Sequence, residues 1–158
     1  MVQIHETSDV QSFTIGSGTK IWQYCVILKG AQIGVDCNIG SHCFIESSVV
    51  IGDRVTIKNG VLIFDSIIIE DDVFIGPNVT FTNDLYPKSR RKNRSVIPPR
   101  PPTIIRSGSS VGAGTTVIPG VEIGKGALVG AGTVVTRSVP DDAVVYGTQG
   151  TIRRFLGE

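Results

Sequence analysis

An aliphatic or aromatic side chain returns at every sixth residue along most of the chain. The series runs from Ile15 through Ile21, Ile27, Ile33, Ile39, Ile45, Ile51, Ile57, Ile63, Ile69 and Ile75 to Phe81. After a gap the same phase resumes at Ile105, Val111, Val117, Ile123, Val129 and Val135. A smaller residue stands two places earlier in most repeats, as at Cys25, Ala31, Val49, Val73, Thr115 and Ala127. Inward positions i−2 and i define a short strand of period two, and the glycines and polar residues that follow make the turn. Eighteen positions in one phase exclude coincidence. The pattern predicts an all-β chain wound as a parallel β-helix of hexapeptide strands.

Three hexapeptides close one triangular coil, so each residue lies about 4.8 Å below the residue 18 places later. Eighteen strands on three walls give about six coils, roughly 29 Å tall at that spacing. The phase fails only at Pro87, Asn93 and Pro99, which marks residues 82–102 as an excursion thrown out of the prism. Ile69 is then covered by Ile105 and Ile75 by Val111, and Arg106 comes to lie over Glu70 with facing side chains. The expected organisation is a single domain over 1–158, with an N-terminal cap at 1–12, coils over 13–136 and a C-terminal tail at 137–158. Composition does not give the hand of the coil, and the general rule for parallel crossovers favours the right-handed one.

Composition narrows the partners. Formal net charge is +1, which argues against nucleic acid even though the run Arg91–Arg94 looks superficially basic enough. No run approaches 18 apolar residues and the start carries no signal-peptide pattern, so no membrane insertion and a cytoplasmic location are expected. Cys25, Cys37 and Cys43 all occupy the small inward slot and read as reduced, packed thiols. Two histidines, His5 and His42, are too few for a three-histidine zinc site on such a solenoid, so no metal is expected.

Stacking by 18 turns the corners into columns. One reads Trp22-Gln23-Tyr24, Gly40-Ser41-His42, Lys58-Asn59-Gly60, Gly76-Pro77-Asn78, Gly112-Ala113-Gly114 and Gly130-Ala131-Gly132. Its upper half is a track of small residues where a long thin ligand can lie against exposed backbone amides; tight corners favour such residues for their own sake as well. A second column reads Glu46-Ser47-Ser48, Phe64-Asp65-Ser66 and Thr82-Asn83-Asp84, which sets Asp65 under Asn83 where the excursion departs. Between residues 82 and 106 lie seven of the fifteen bases and one of the fourteen acids, leaving eight bases against thirteen acids elsewhere.

The repeat as a whole, over about residues 12–147, resembles the left-handed β-helix acyltransferases of the hexapeptide superfamily. The stretches EDDVFIGPNVTFTNDLYPKSR (Glu70–Arg90) and IPGVEIGKGALVGAGTVVTRSVP (Ile118–Pro140) are similar to N-acetyltransferases of nucleotide-linked 3-amino sugars used in bacterial surface glycans, such as lipopolysaccharide O-antigen. The resemblance implies acetyl-CoA as co-substrate, a dTDP- or UDP-linked amino sugar as acceptor, and a homotrimer with sites between subunits. On that basis Gly76, Gly112, Ala113, Gly130 and Ala131 would line the pantetheine arm, and Arg137, Arg153 and Arg154 would meet CoA phosphates. Asn83 and Asp84 would be catalytic, and Tyr24, Lys58, Asn59, Asp65, Phe81 and Arg90 would hold the sugar nucleotide. Relatives commonly continue past Tyr146-Gly147 with Asn-Pro-Ala, whereas this chain has Thr148-Gln149-Gly150, which puts contacts to the CoA adenine in question.

Many hexapeptide acyltransferases carry a loop histidine as general base, and the excursion here has none. That absence favours an amine acceptor, for which positioning and a backbone donor to the oxyanion supply most of the rate. Two other readings stand beside it: O-acetylation with His42 as base, and a non-catalytic β-helix scaffold. The scaffold accounts for neither the basic excursion nor the small-residue track.

Overall fold

The computed structural model describes residues 1–87, 89, 101–148 and 150–155. The hexapeptide repeat becomes three walls of short parallel strands, and no helix occurs among the described residues. One wall runs from Gln3–Ile4 through Lys20–Ile21, Asn38–Ile39, Thr56–Ile57, Phe74–Ile75, Ser110–Val111 and Leu128–Val129 to Ala143–Tyr146. The second runs from Asp9–Val10 to Val134–Val135 and the third from Thr14–Ile15 to Glu122–Ile123. Together they form a solenoid of about seven turns, consistent with a left-handed β-helix.

Register follows the repeat. Lys20 pairs with Asn38, Asn38 with Thr56 and Thr56 with Phe74, each partner one coil above the last. Across the excursion Ile69 pairs with Ile105, Ile75 with Val111 and Phe81 with Val117, so the prism closes over the inserted segment without a slip. The inward residues fill one continuous core in which Ile27, Ile39, Ile45, Ile57, Ile63, Ile75, Phe81, Ile105 and Ile123 are wholly buried. Each such side chain contributes roughly 1.5–3 kcal/mol relative to exposure, and the interlocked ladders make the frame that holds the corners.

Most corners turn through one residue in the left-handed region. In the first column these are Tyr24 (φ 57°), His42 (φ 60°) and Asn78 (φ 58°), together with Gly60, Gly114 and Gly132. A non-glycine residue in that region is strained, and Asn is among the residues that tolerate it best.

Both ends depart from expectation. Residues 1–12 are not a separate cap but part of the first coil: Ile4 pairs with Ile21 and Val10 with Ile27. The offset there is one residue shorter than in later coils, because the corner between Val10 and Ile15 is one residue short. A strict six-residue phase therefore lands on Gln3 and Asp9 and misses these strands, which is why the sequence suggests six coils where about seven exist. At the other end Ala143–Tyr146 continues the first wall, and Thr151–Phe155 then pairs with it antiparallel. The tail thus covers the open edge of that wall, where unpaired N–H and C=O groups would otherwise invite another strand.

Candidate active site

The small-residue track forms one edge of the prism. A Cβ on Gly76 would lie 2.6 Å from the amide nitrogen of Ala113, and one on Gly112 would lie 2.5 Å from that of Ala131. Glycine is required here because successive corners close directly on each other. The Gly114 N–H donates to the Pro77 carbonyl and the Gly132 N–H to the Ala113 carbonyl, both at 2.8 Å. Those amides are engaged within the stack, so the track offers a ligand a narrower set of donors than the sequence suggests. Ala113 and Ala131 are exposed along it, whereas Gly76 is buried beneath.

Asn83 stands on the next edge, beyond the strand Thr80–Phe81. Its Nδ2 donates to Asp65 Oδ1 in the coil below, as stacking demands. Glu46 Oε2 in turn accepts the Asp65 N–H at 2.7 Å. Asp84 Oδ1 accepts the Tyr86 N–H at 2.9 Å and turns the chain into the excursion. The Asp65 carboxylate therefore fixes which end of the Asn83 amide faces the stack, and the carbonyl oxygen, with two lone pairs, is its other end. Sequence reasoning missed Glu46; its place in the corner one coil below, under Phe64 and diagonal to Asp65, was the available signal.

The remaining predicted residues scatter. His42 and Tyr24 are exposed on the track's own edge, below the glycines, with ring centroids 5.0 Å apart. Lys58 and Asn59 lie between them and Gly76 and are exposed. Phe81 is corrected: it is the largest fully buried side chain. It sits in the inward phase of its strand, packs the core and presents no surface to a substrate. Arg137 is exposed two coils above Asn83, since Phe81, Val117 and Val135 pair in register. It shares the Asn83 edge and not the track. Arg153 and Arg154 belong to the final antiparallel strand, their side chains outside the described residues, as is all of Arg90 with Lys88, Arg91, Lys92, Arg94, Arg100 and Gln149.

All three cysteines are free and buried. Each thiol donates to a backbone carbonyl: Cys25 to Gly40 at 3.0 Å, Cys37 to Gly52 at 3.1 Å and Cys43 to Lys58 at 3.2 Å. Burial pushes the Cys37 thiol up, and a hydrogen bond shared with Cys25, together with burial, does the same to Cys43. At Cys25 the hydrogen bond with Cys43 outweighs burial and lowers the thiol to about 7, so it is burial in the core, not a raised pKa, that makes all three structural thiols closed to a substrate. Among the described residues no cluster of His, Cys, Asp and Glu is arranged to hold a metal.

A parallel solenoid of hexapeptide strands with a small-residue edge beside a polar, carboxylate-anchored asparagine defines a class of protein. The chain matches the bacterial transferase hexapeptide (six repeats) family over residues 14–47 and 102–137. It is 45% identical over 153 residues to dTDP-3-amino-3,6-dideoxy-alpha-D-galactopyranose 3-N-acetyltransferase of Aneurinibacillus thermoaerophilus, covering 97% of this chain and 78% of that protein. The chain belongs to the hexapeptide-repeat transferases. A galactoside O-acetyltransferase of Lactococcus lactis is 31% identical over 83 residues, 52% of this chain and 40% of that protein. Among solved structures, a variant of GDP-perosamine N-acetyltransferase from Caulobacter crescentus in complex with CoA and GDP-perosamine superposes with a TM-score of 0.58. It is 21% identical, covering 98% of this chain and 57% of its own, and so shares the fold. This chain spans well under two thirds of the length of those last two proteins.

Proposed function

We propose that the chain is an acetyl-CoA-dependent N-acetyltransferase acting on the amino group of a dTDP- or UDP-linked 3-amino sugar. The observation that carries the substrate class is the 45% identity, over most of both chains, to an N-acetyltransferase of a dTDP-linked 3-amino sugar. The site geometry suits that chemistry. The neutral amine attacks the thioester carbonyl, the C–S bond breaks, CoA leaves as thiolate, and the amine proton departs to the thiolate or to water. A thiolate with a pKa near ~8.5 for a cysteine-like thiol is a tolerable leaving group, so orientation matters more than a strong base. The Asn83 carbonyl, aimed by Asp65, accepts a hydrogen bond from the amine and points its lone pair at the acetyl carbon.

The track that would carry pantetheine and the Asn83 edge lie on opposite borders of the second wall. A complete site then needs the track of one subunit and the Asn83 edge of its neighbour, which favours a homotrimer with acetyl-CoA between subunits. Arg137, on the Asn83 edge, would in that arrangement reach the CoA phosphates from the neighbouring copy. We place the reaction in the cytoplasm, in the supply of sugars for bacterial surface glycans such as O-antigen. No helix of the described residues is long and apolar enough to cross a membrane.

The test is a panel of nucleotide-linked amino sugars incubated with acetyl-CoA while free thiol release is followed. Release that depends on a 3-amino sugar supports the reading. Release only with hydroxyl acceptors would transfer the role to O-acetylation with His42 as base, and no acetyl-CoA binding by calorimetry would leave a scaffold.

A further inference from the structure

Below the glycine track, on the same edge, the surface sinks into an open hollow of about 300 Å³ lined by Trp22, Asn38, Gly40, Ser41, Lys58 and Asn59 among others. We propose that this hollow is the nucleotide subsite, with the base stacked on Trp22 and the diphosphate beside Lys58. The inference rests on the nucleotide-sugar reading above and adds the place and polarity of binding.

The hollow is built for a flat ring. The Trp22 indole N–H donates to Asn38 Oδ1 at 2.8 Å, so the ring is held as a fixed plate although 46% of the residue remains exposed. A large aromatic left half in water and tied by its polar atom is a stacking platform for a nucleobase. The floor is polar. A Cβ on Gly40 would come within 2.4 Å of Asn59 Oδ1 and 2.7 Å of the Asn59 amide nitrogen, so the bare Gly40 lets the next corner close down with the Asn59 carboxamide among the lining groups. Asn59 and Ser41 supply the donors and acceptors that a base edge or ribose needs.

Charge and spacing set the direction. The lining residues include no acid, Lys58 stands at the upper end, and Lys20 is exposed on the strand directly below Asn38. Trp22 and Lys58 are two coils apart, about 10 Å, which is the reach from a nucleobase to its diphosphate. One further coil up is Gly76-Pro77-Asn78, level with the coil that carries Asn83. A nucleotide sugar laid with its base at Trp22 therefore delivers its sugar at the foot of the glycine track, where the acetyl group would arrive from above.

Trp22 is the sole tryptophan of the chain, so its fluorescence reports on this hollow alone. Thymidine diphosphate and uridine diphosphate, without sugar, are expected to quench it saturably, and CoA is expected neither to quench it nor to compete. By calorimetry Trp22→Ala should weaken binding of those diphosphates at least roughly tenfold, while Trp22→Phe, which keeps a ring, should stay within a few-fold. Lys58→Ala, at an exposed position that does not touch the core, should weaken the diphosphates but not the bare nucleosides. Unchanged diphosphate affinity in both Trp22→Ala and Lys58→Ala, or displacement by CoA, overturns the subsite. The two readings can fail separately. If the wild type acetylates a nucleotide-linked amino sugar and Trp22→Ala leaves the KM for it unchanged, the transferase stands and the subsite falls. If the diphosphates stack on Trp22 and no amino sugar is acetylated, the subsite stands and the transferase reading falls.

Discussion

Arg106 bridges three coils: its Nη1 meets Glu70 Oε1 in the coil below and its Nε meets Glu122 Oε1 in the coil above, each at 2.7 Å. Glu70 also accepts the Ser107 N–H at 3.0 Å and the Ser107 hydroxyl at 3.1 Å. The pairing of Arg106 with Glu70 follows from reading residues 82–102 as an insertion, and it pins the first strand after that insertion to the last of its wall before it. Partial burial alone would raise the Glu70 carboxyl, but the hydrogen bonds from Arg106 and Ser107 and the Arg106 charge outweigh it and hold the group low.

A carboxyl whose folded pKa is depressed stabilises the fold above its unfolded pKa, and that stabilisation is lost as pH falls through the depressed value. Glu70→Gln should therefore lower the thermal midpoint at pH 7 by a few degrees, on the order of 2–4 °C for a chain of this size. The difference from wild type should shrink below roughly pH 4, where the unfolded carboxyl begins to take its proton. A gap that stayed constant down to pH 2 would show that the charge on Glu70 is not what matters.

Asn83→Ala should cut turnover about a hundredfold, equivalent to on the order of 2–3 kcal/mol of lost transition-state positioning, with acetyl-CoA affinity nearly unchanged. His42→Ala should be milder. Near-full turnover in the Asn83 variant with none in the His42 variant would replace positioning by general-base catalysis.

Ala113→Phe places a ring on the exposed face of the track without touching the core. It should raise the KM for acetyl-CoA by roughly tenfold or more, equal to at least ~1.4 kcal/mol, and leave thermal stability alone. If the KM holds, CoA takes another path.

The separation of the two edges has a sharper test in mixed oligomers. Asn83→Ala and Ala113→Phe damage different edges, so assemblies formed from equal parts of the two variants should contain sites with both edges intact. Random assembly around a closed ring predicts about a quarter of the sites restored. Recovery of activity on mixing, together with a trimer by sedimentation, supports sites shared between copies. No recovery would mean that one subunit supplies both edges.

Phe81→Ala removes the largest fully buried side chain and should cost about 3–5 kcal/mol in stability. The folded fraction should retain its affinity for nucleotide. A large affinity loss without a lower melting temperature would reinstate Phe81 as a substrate contact.

The frame was legible because period six is a strong signal: every inward residue from Ile15 to Val135 repeats its neighbour's environment one coil away. Register then placed Asp65 under Asn83 and Arg106 over Glu70 without coordinates. Counting also puts Arg137 in the Asn83 column, whereas its expected contact with the CoA phosphates came from the resemblance and not from register. Phe81 was misjudged for the same reason, since its phase points inward whatever motif surrounds it. The first coil escaped because Ile4 and Val10 are out of phase by one residue. The hollow at Trp22 was beyond a one-dimensional reading, for it depends on the indole turning to Asn38 and on Asn59 folding over Gly40.

Ile69 meets Ile105 and Phe81 meets Val117 as though the intervening segment had never been inserted. The length and content of that insertion are thus uncoupled from the winding of the prism, and doubling a closed loop costs only about 0.6 kcal/mol in entropy. A lineage built on this frame can rewrite the segment rooted beside Asn83 while every coil keeps its address. The segment is in that sense an interchangeable cassette, which two such chains could exchange over residues 84–102 without asking either to learn a new fold.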